Sequence, residues 1–527
     1  MSAGSSVKLD DGGYVTDVPY ARTFNDHLSP RMLRLVAALN GCASPSDEEF
    51  DYLELGSGTG DSIVTLAAAF PRGRFVGVDF NPEHVAFAEA LARRGGVTNV
   101  RFLQRDFEAL SAEALPDFDF VVLHGVLSWI SPSKRRSLLA LAESKLRAGG
   151  LLYASYNALP GWAAIAPLRR LMLDHTEAIA GGSLARAREG LSFAKRLCEA
   201  GGVYFTSHPT AQSILELMLK AGLPYVVHEY FNQHWHPHYF ADVAREMAEH
   251  GLSYVGQIPL YLGVRELALP TAIKALAKDL DDRIAFESLK DFAINEFFRN
   301  DVYVKGAFAP SESTTRNYLE NTPFGTLAAA SKIKRELRLP HYTLRFEGPL
   351  YDALIPVLAQ RAASAVELAA LPSLASFGAR RIGDALQTMA LGGQVAPMHR
   401  ARELATALSV TEATAYRISL PFNRTILSQE LSNRHAVVLA SEVAGTGITL
   451  SMLDAVCLRA LVEAAPSDRP QWIAAFVDRT PLRVASGDRV VEGNGKSDLV
   501  RLIADALERF IVDWPAKLCE LGILERA

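Results

Sequence analysis

The sequence is poor in cysteine, with Cys42, Cys198, Cys457 and Cys519 the only four among 527 residues and no Cys-x-x-Cys pair between them. That pattern supplies neither a structural zinc ligand set nor a disulfide framework, and it suits reduced thiols in a cytosol. Long apolar runs are also missing. No uninterrupted hydrophobic stretch reaches the length of a membrane span, and the opening MSAGSSVKLDDGG is small and polar where a secretory signal needs an apolar segment. A cytoplasmic chain with no membrane insertion is the expectation. Basic charge shows no excess, with 59 Asp plus Glu against 54 Lys plus Arg, so no nucleic acid or anionic lipid partner is predicted. What the chain does have is 49% apolar residues over a length that suits roughly three domains.

From Phe50 onward short apolar runs alternate with helical periodicity. DYLEL, RFVGVDF, VRFLQ, FDFVVLHG and GLLYASYN read as strands; SIVTLAAAF, PEHVAFAEALARR and SKRRSLLALAESKLR read as helices. This is the pattern of an α/β, doubly wound, Rossmann-like sheet, whose ligands sit beyond the C-terminal ends of the strands. We read 1–165 as this core and 166–222 as a helical cap inserted in it. The segment 223–265 reads as the last sheet elements, with PYVVHEYF and LSYVGQIPLYL strand-like around a helix HYFADVAREMAEHG. A mainly helical linking region follows over 266–341, with SESTTRN (311–317) as a surface loop. The remainder, 342–527, reads as a helical C-terminal domain, winged-helix-like at its start, where two helical patterns precede GGQVAPM.

The stretch LELGSGTGD, Leu53 to Asp61, joins the first strand to the first helix of the core. A dinucleotide turn is GxGxxG, yet here the glycines are Gly56, Gly58 and Gly60, and Asp61 stands where the third would fall. Glu54, just before the turn, would repel a pyrophosphate and attract an amino group or a sulfonium. The combination favours S-adenosyl-L-methionine over a nicotinamide. Asp79, ending the second strand, is placed to accept from ribose hydroxyls; Phe80 would lie on the adenine face, and Asp106, with Phe107 beside it, would accept from the adenine amino group. Ser57 belongs to the same turn.

Residues following the fourth and fifth strands should line the acceptor pocket: His124, Ser128 and Trp129, then Tyr156 and Asn157, with Tyr14 and Tyr20 folding over the mouth. In YVTDVPYARTFNDHLSPRML, LELGSGTG, HGVLSWI, SYNALPGW and HEYFNQHWHPHYF, taken in order, the chain resembles bacterial class I methyltransferases that carry a methyltransferase regulatory domain. The best-known members are rickettsial protein lysine methyltransferases that modify outer-membrane proteins. The resemblance implies N-methylation of lysine side chains of a protein substrate. Tyr20 and His124 would then join the cofactor-binding set, His124 and Tyr156 would serve as candidate proton carriers, and Tyr14, Ser128, Trp129 and Asn157 would meet the substrate. A small-molecule or natural-product acceptor, with the C-terminal half forming a homodimer or docking a carrier, is a second reading; a cofactor-binding regulator without turnover is a third. The run His234-Trp235-His236-Pro237-His238 invites a metal, but Pro237 breaks the i, i+4 pairing and no carboxylate or cysteine completes a set, so no metal is expected.

Overall fold

The computed structural model of the chain describes residues 13–18, 22–399, 415–429, 436–480, 484–486, 489–491 and 496–526. Helix α1 (Pro30–Leu39) precedes five parallel strands: β1 (Asp51–Leu55), β2 (Arg74–Asp79), β3 (Val100–Gln104), β4 (Phe118–Leu123) and β5 (Leu146–Asn157). Most of β1, β2, β4 and β5 is buried, which is why their apolar runs do not alternate. Helices α2 (Asp61–Ala69), α3 (Pro82–Gly95) and α4 (Pro132–Lys145) pack on the sheet, and the last two start on Asn81 and Ser131 caps followed by proline.

Five helices follow: α5 (Ala166–His175), α6 (Ser183–Glu199), α7 (Val203–Ser207), α8 (Pro209–Ala221) and α9 (Leu223–Tyr230). Their apolar faces close on a core of their own, with Leu168, Met172, Phe205, Leu215 and Tyr230, which also takes in Val18 from the start of the chain. The segment expected to be strand-like, Pro224 to Phe231, is therefore helix α9. Val226, Val227 and Tyr230 fall on one helical face and bury there, and that tertiary burial outweighs the β-propensity of valine and tyrosine.

After α10 (Phe240–Glu249) the sheet resumes with β6 (Leu252–Ile258); the single turns α11 (Arg265–Ala268) and α12 (Lys274–Ala277) and helix α13 (Arg283–Ile294) then lead to β7 (Phe298–Lys305). The order is β3-β2-β1-β4-β5-β7-β6, with β7 antiparallel to both neighbours. The expectation of a mainly helical 266–341 thus misses a strand in the sheet interior. Its centre is Arg299-Asn300-Asp301, which breaks any apolar run, and all three residues are buried.

These charges are tolerated because they answer one another. Arg299, 0% exposed, donates from Nη1 to Asp291 Oδ1 at 2.6 Å, from Nη2 to Glu287 Oε2 at 3.1 Å and from Nε to Asp301 at 3.0 Å. Lys290 pairs with Glu287, and Tyr156 donates to Asp301 Oδ2 at 2.6 Å. Burial alone would raise the Glu287 carboxyl, but Lys290 and Arg299 hold it at about 2.

The expected loop 311–317 is instead the start of α14 (Glu312–Asn321), with Ser311 capping Thr314 N. Beyond it, α15 (Pro349–Gln360), α16 (Ala365–Ala369) and α17 (Gly378–Leu391) surround a second core containing Phe324, Leu354 and Leu386. The strand after α17, Ala396–Pro397, pairs with the distant Phe324–Gly325 rather than folding into a wing of its own. The C-terminal part carries α18 (Pro421–Gln429), α19 (Met452–Glu463), α20 (Arg469–Arg479), α21 (Lys496–Asp513) and α22 (Pro515–Glu520). Its hairpin, Ala436–Ser441 with Thr446–Ser451, seats on α2, and Ser29 Oγ donates to Gly445 O at 2.7 Å. No helix among the described residues is long and apolar enough to cross a membrane.

Arg299→Leu leaves Asp291, Asp301 and Glu287 with buried negative charge and no shared partner. The substitution is expected to lower stability by about 3–5 kcal/mol, the usual cost of breaking a buried pair from one side. Urea unfolding followed by tryptophan fluorescence checks this; an unchanged midpoint would show that the network does not hold the sheet.

Candidate active site

The strand order reverses between β1 and β4, and ligands of such sheets bind where it does. There the glycine turn has three positive φ angles: 79° at Gly56, 53° at Gly58 and 75° at Gly60. The reasons differ. A Cβ on Gly60 would stand 2.6 Å from Ala88 Cβ, so this glycine lets α2 approach α3; a Cβ on Gly58 would meet nothing within 4 Å, so this one faces open space. Gly58 N and Asn81 N donate to the two oxygens of Asp79, at 2.8 and 2.9 Å, which fixes that carboxylate at the strand edge and leaves lone pairs on it.

A cavity of about 240 Å³ opens over the turn. Gly56, Gly58, Asp79, Phe80, Asp106, Phe107, His124, Trp129 and Asn157 line it, together with Tyr14 from the N-terminal segment. The structure brings all of these sequence-predicted residues together. Glu54 does not line the cavity. It is buried at the end of β1 with Oε2 unpartnered, and burial, reinforced by Asp79, pushes its carboxyl up to about 8.

Several assignments change. Tyr156 lies away from the cavity, because alternation along β5 turns Ser155 and Asn157 to one face and Tyr156 to the other, where its hydroxyl is bound to Asp301. Ser128 is also absent from the lining; its Oγ accepts from Asn157 N at 2.9 Å and so positions Asn157. Asp106, expected to wait for an adenine amino group, already holds Lys134 and the Glu108 amide. Ser57 is buried with Oγ unpartnered, and Tyr20 falls outside the described residues.

His124 is held by hydrogen-bond partners around its ring. Its Nδ1 lies 3.1 Å from Tyr153 Oη and 3.0 Å from Ser155 Oγ, and Asn25 Nδ2 lies 3.0 Å from Nε2. Tyr153 donates its own proton to Asn300 Oδ1 at 2.6 Å, which leaves the phenolic oxygen to accept from Nδ1–H while Nε2 accepts from Asn25. Burial, with His27 nearby, pushes the ring down to about 4, so it is neutral at physiological pH.

Sequence reasoning missed ten wall residues: Thr23, His84, Arg105, Gly125, Val126, Ile130, Lys134, His228, Glu229 and Phe298. His228 and Glu229 belong to α9, and His228 Nε2 donates to Val18 O at 2.8 Å while Asn232 Oδ1 accepts from Val15 N at 2.9 Å. These contacts strap the N-terminal segment across the cavity, with the Tyr14 ring edge-on to Phe80 at 6.1 Å. In the histidine run the His234 and His236 rings stack at 6.0 Å and His238 sits 3.4 Å from Arg135. Among the described residues no group of three His, Cys, Asp or Glu is placed to hold a metal.

A glycine that faces open space, an anchored acid with spare lone pairs, aromatic rings in the lining and the buried Glu54 at the end of β1 fit S-adenosylmethionine. Residues 53–150 match the model of a methyltransferase domain, and 223–305 that of a predicted methyltransferase regulatory domain. The fold and the site therefore define a class I methyltransferase that uses S-adenosylmethionine. An uncharacterized protein of Synechocystis is 30% identical over 512 residues, 97% of this chain and 99% of its own length, and the chain belongs to that family, methyltransferases with the regulatory domain. A Rickettsia prowazekii protein is 28% identical over 301 residues, covering 56% of this chain and 53% of its own length. The structure of PKMT2 from Rickettsia typhi in complex with AdoHcy superposes with a TM-score of 0.69 over 96% of this chain and 100% of that one, at 18% identity, and so shares the fold.

Two measurements test the site. Both valine variants bring backbone strain at a positive φ, but Gly58→Val is expected to weaken S-adenosylmethionine binding by about 100-fold, or ~2.7 kcal/mol, whereas Gly60→Val, which adds a clash with Ala88, should show the larger drop in unfolding temperature; calorimetry and thermal melts separate the two. Because Glu54 sits at about 8 in the free protein, capture of an ammonium requires it to lose a proton. Affinity should rise with pH up to about 8 and then fall as the ligand's α-amino group, with pKa about 8, deprotonates. Titration calorimetry from pH 6 to 9 checks this; a profile whose lower limb is the same in Glu54→Gln would remove Glu54 from the amino site.

Proposed function

We propose that the protein N-methylates lysine side chains of a protein substrate. The observation that carries this reading is that one cavity is lined by Phe298, 38% exposed, by half-buried Trp129 and by the buried Asn157, whose Nδ2 is unpartnered. A rim of exposed aromatic surface suits a long flexible side chain that enters from a larger molecule, and the ring faces attract its ammonium before the proton leaves.

S-adenosylmethionine supplies an electrophilic methyl group on a sulfonium. Glu54 would hold its amino group, Asp79 its ribose, and Phe80 and Phe107 its base, with Tyr14 and the α9 residues as the outer wall. The chain's own contribution is orientation in a half-dry pocket. A lysine ammonium, with an ordinary pKa of about 10.4, must shed its proton before its nitrogen can attack. His124, neutral and engaged at both nitrogens, does not take that proton; its role is to fix Asn25, Tyr153 and Ser155 beside the cavity. Facing the positive sulfonium, the amine is favoured in its neutral form, and the proton departs to solvent at the mouth.

Incubation with S-adenosylmethionine carrying a labelled methyl group and an extract of the source organism tests the acceptor class. Label should appear in the protein fraction and emerge as ε-N-methyllysine after acid hydrolysis. Label confined to small molecules would overturn the reading in favour of a natural-product acceptor.

A further inference from the structure

A second cavity, of about 220 Å³, begins two residues beyond the first. Asn157, at the end of β5, lines the methyl-transfer cavity and Leu159, in the turn that follows, lines this one, so the two cavities adjoin the same stretch of chain. Its remaining walls are Tyr239 to Asp242, at the start of α10, and Ser288, Asp291 and Phe292 on one face of α13. All of these except Leu159 fall inside the matched regulatory domain.

Three features give the cavity a chemistry. Tyr239 and Phe292 are 43% and 61% exposed, yet their rings stack at 6.2 Å and 12°, an arrangement that presents electron-rich faces to solvent without burying them. Asp291 is 2% exposed; Arg299 occupies Oδ1, while Oδ2 has no partner. Asp242 sits in the first turn of α10 with its carboxylate exposed and held by Arg245 at 3.1 Å, and it offsets the positive end of that helix. Of the nearby cations, Arg299 and Lys290 are 0% exposed and committed to Asp301 and Glu287, while Arg245 is exposed and shares Asp242, so an incoming cation would replace it there. Aromatic faces, two carboxylates and the apolar walls of Leu159 and Phe240 form a receptor for a positive head on an apolar stem.

We propose that this second cavity binds a lysine or arginine side chain of the methyl acceptor, close in sequence to the lysine that enters the first cavity. The proposal rests on the reading of a protein acceptor. An extended peptide laid along the end of β5 carries its target lysine past Phe298 and presents a basic residue a few positions away to Tyr239 and Phe292. The regulatory domain thereby selects which lysine is modified.

The test uses the full-length protein and two probes, N-acetyl-arginine methylamide and its neutral isostere N-acetyl-citrulline methylamide, with binding read by saturation-transfer NMR. The arginine probe should bind about tenfold tighter than the citrulline probe, and Phe292→Ala and Asp242→Asn should each remove most of that difference. S-adenosylmethionine affinity and the unfolding temperature of both variants should match the parent, which excludes misfolding as the cause. Equal binding of the two probes, or a preference that survives both substitutions, overturns the proposal. Turnover is not needed for this readout, so arginine binding as expected together with label only in small molecules would retain the cation site and reject the protein acceptor.

Discussion

Arg299 is the fixed point of the molecule. Its guanidinium gathers Asp301 from its own strand and Asp291 and Glu287 from α13, while Tyr156 on β5 reaches the same Asp301. One fully buried cation, itself within the segment that matches the regulatory domain, thus ties α13 to the sheet. The residue before it, Phe298, lines the first cavity, and its partner Asp291 lines the second. A displacement of this side chain would be felt at both.

The cofactor end is arranged by a different balance. Glu54 and Asp79 lie at neighbouring strand tips, and Glu54, with no partner on Oε2, keeps its proton well above the usual carboxylate range. Asp79 is stabilised by two backbone amides instead. Two similar carboxylates therefore stand in different settings: Glu54 is buried and must give up its proton to meet a cation, and Asp79 is pinned by backbone amides. The glycines divide the work as well, Gly60 serving packing and Gly58 serving space.

Much of this was legible in the residues. Strands β1 to β5 show as apolar runs, and GxGxG with Glu54 and Asp79 marks the cofactor class. Strand β7 was hidden because Arg299, Asn300 and Asp301 look like a surface turn until their partners are known, and those partners lie on a helix that no local pattern links to them. Helix α9 was hidden because valine and tyrosine favour strands where tertiary packing does not intervene. Tyr156 is a different case. Period-two alternation alone forbids Tyr156 and Asn157 from facing the same cavity, so the sequence contained the correction. His228 and Glu229 left no such trace, since only the fold brings α9 back over the glycine turn.

The position of β7 has a consequence for a chain that emerges from the ribosome one end first. Strand β6 is made before β7 but pairs with β7, so neither can join the sheet until residue 305 is free. Through that interval the twelve-residue β5 presents an open edge of unpaired amides and carbonyls.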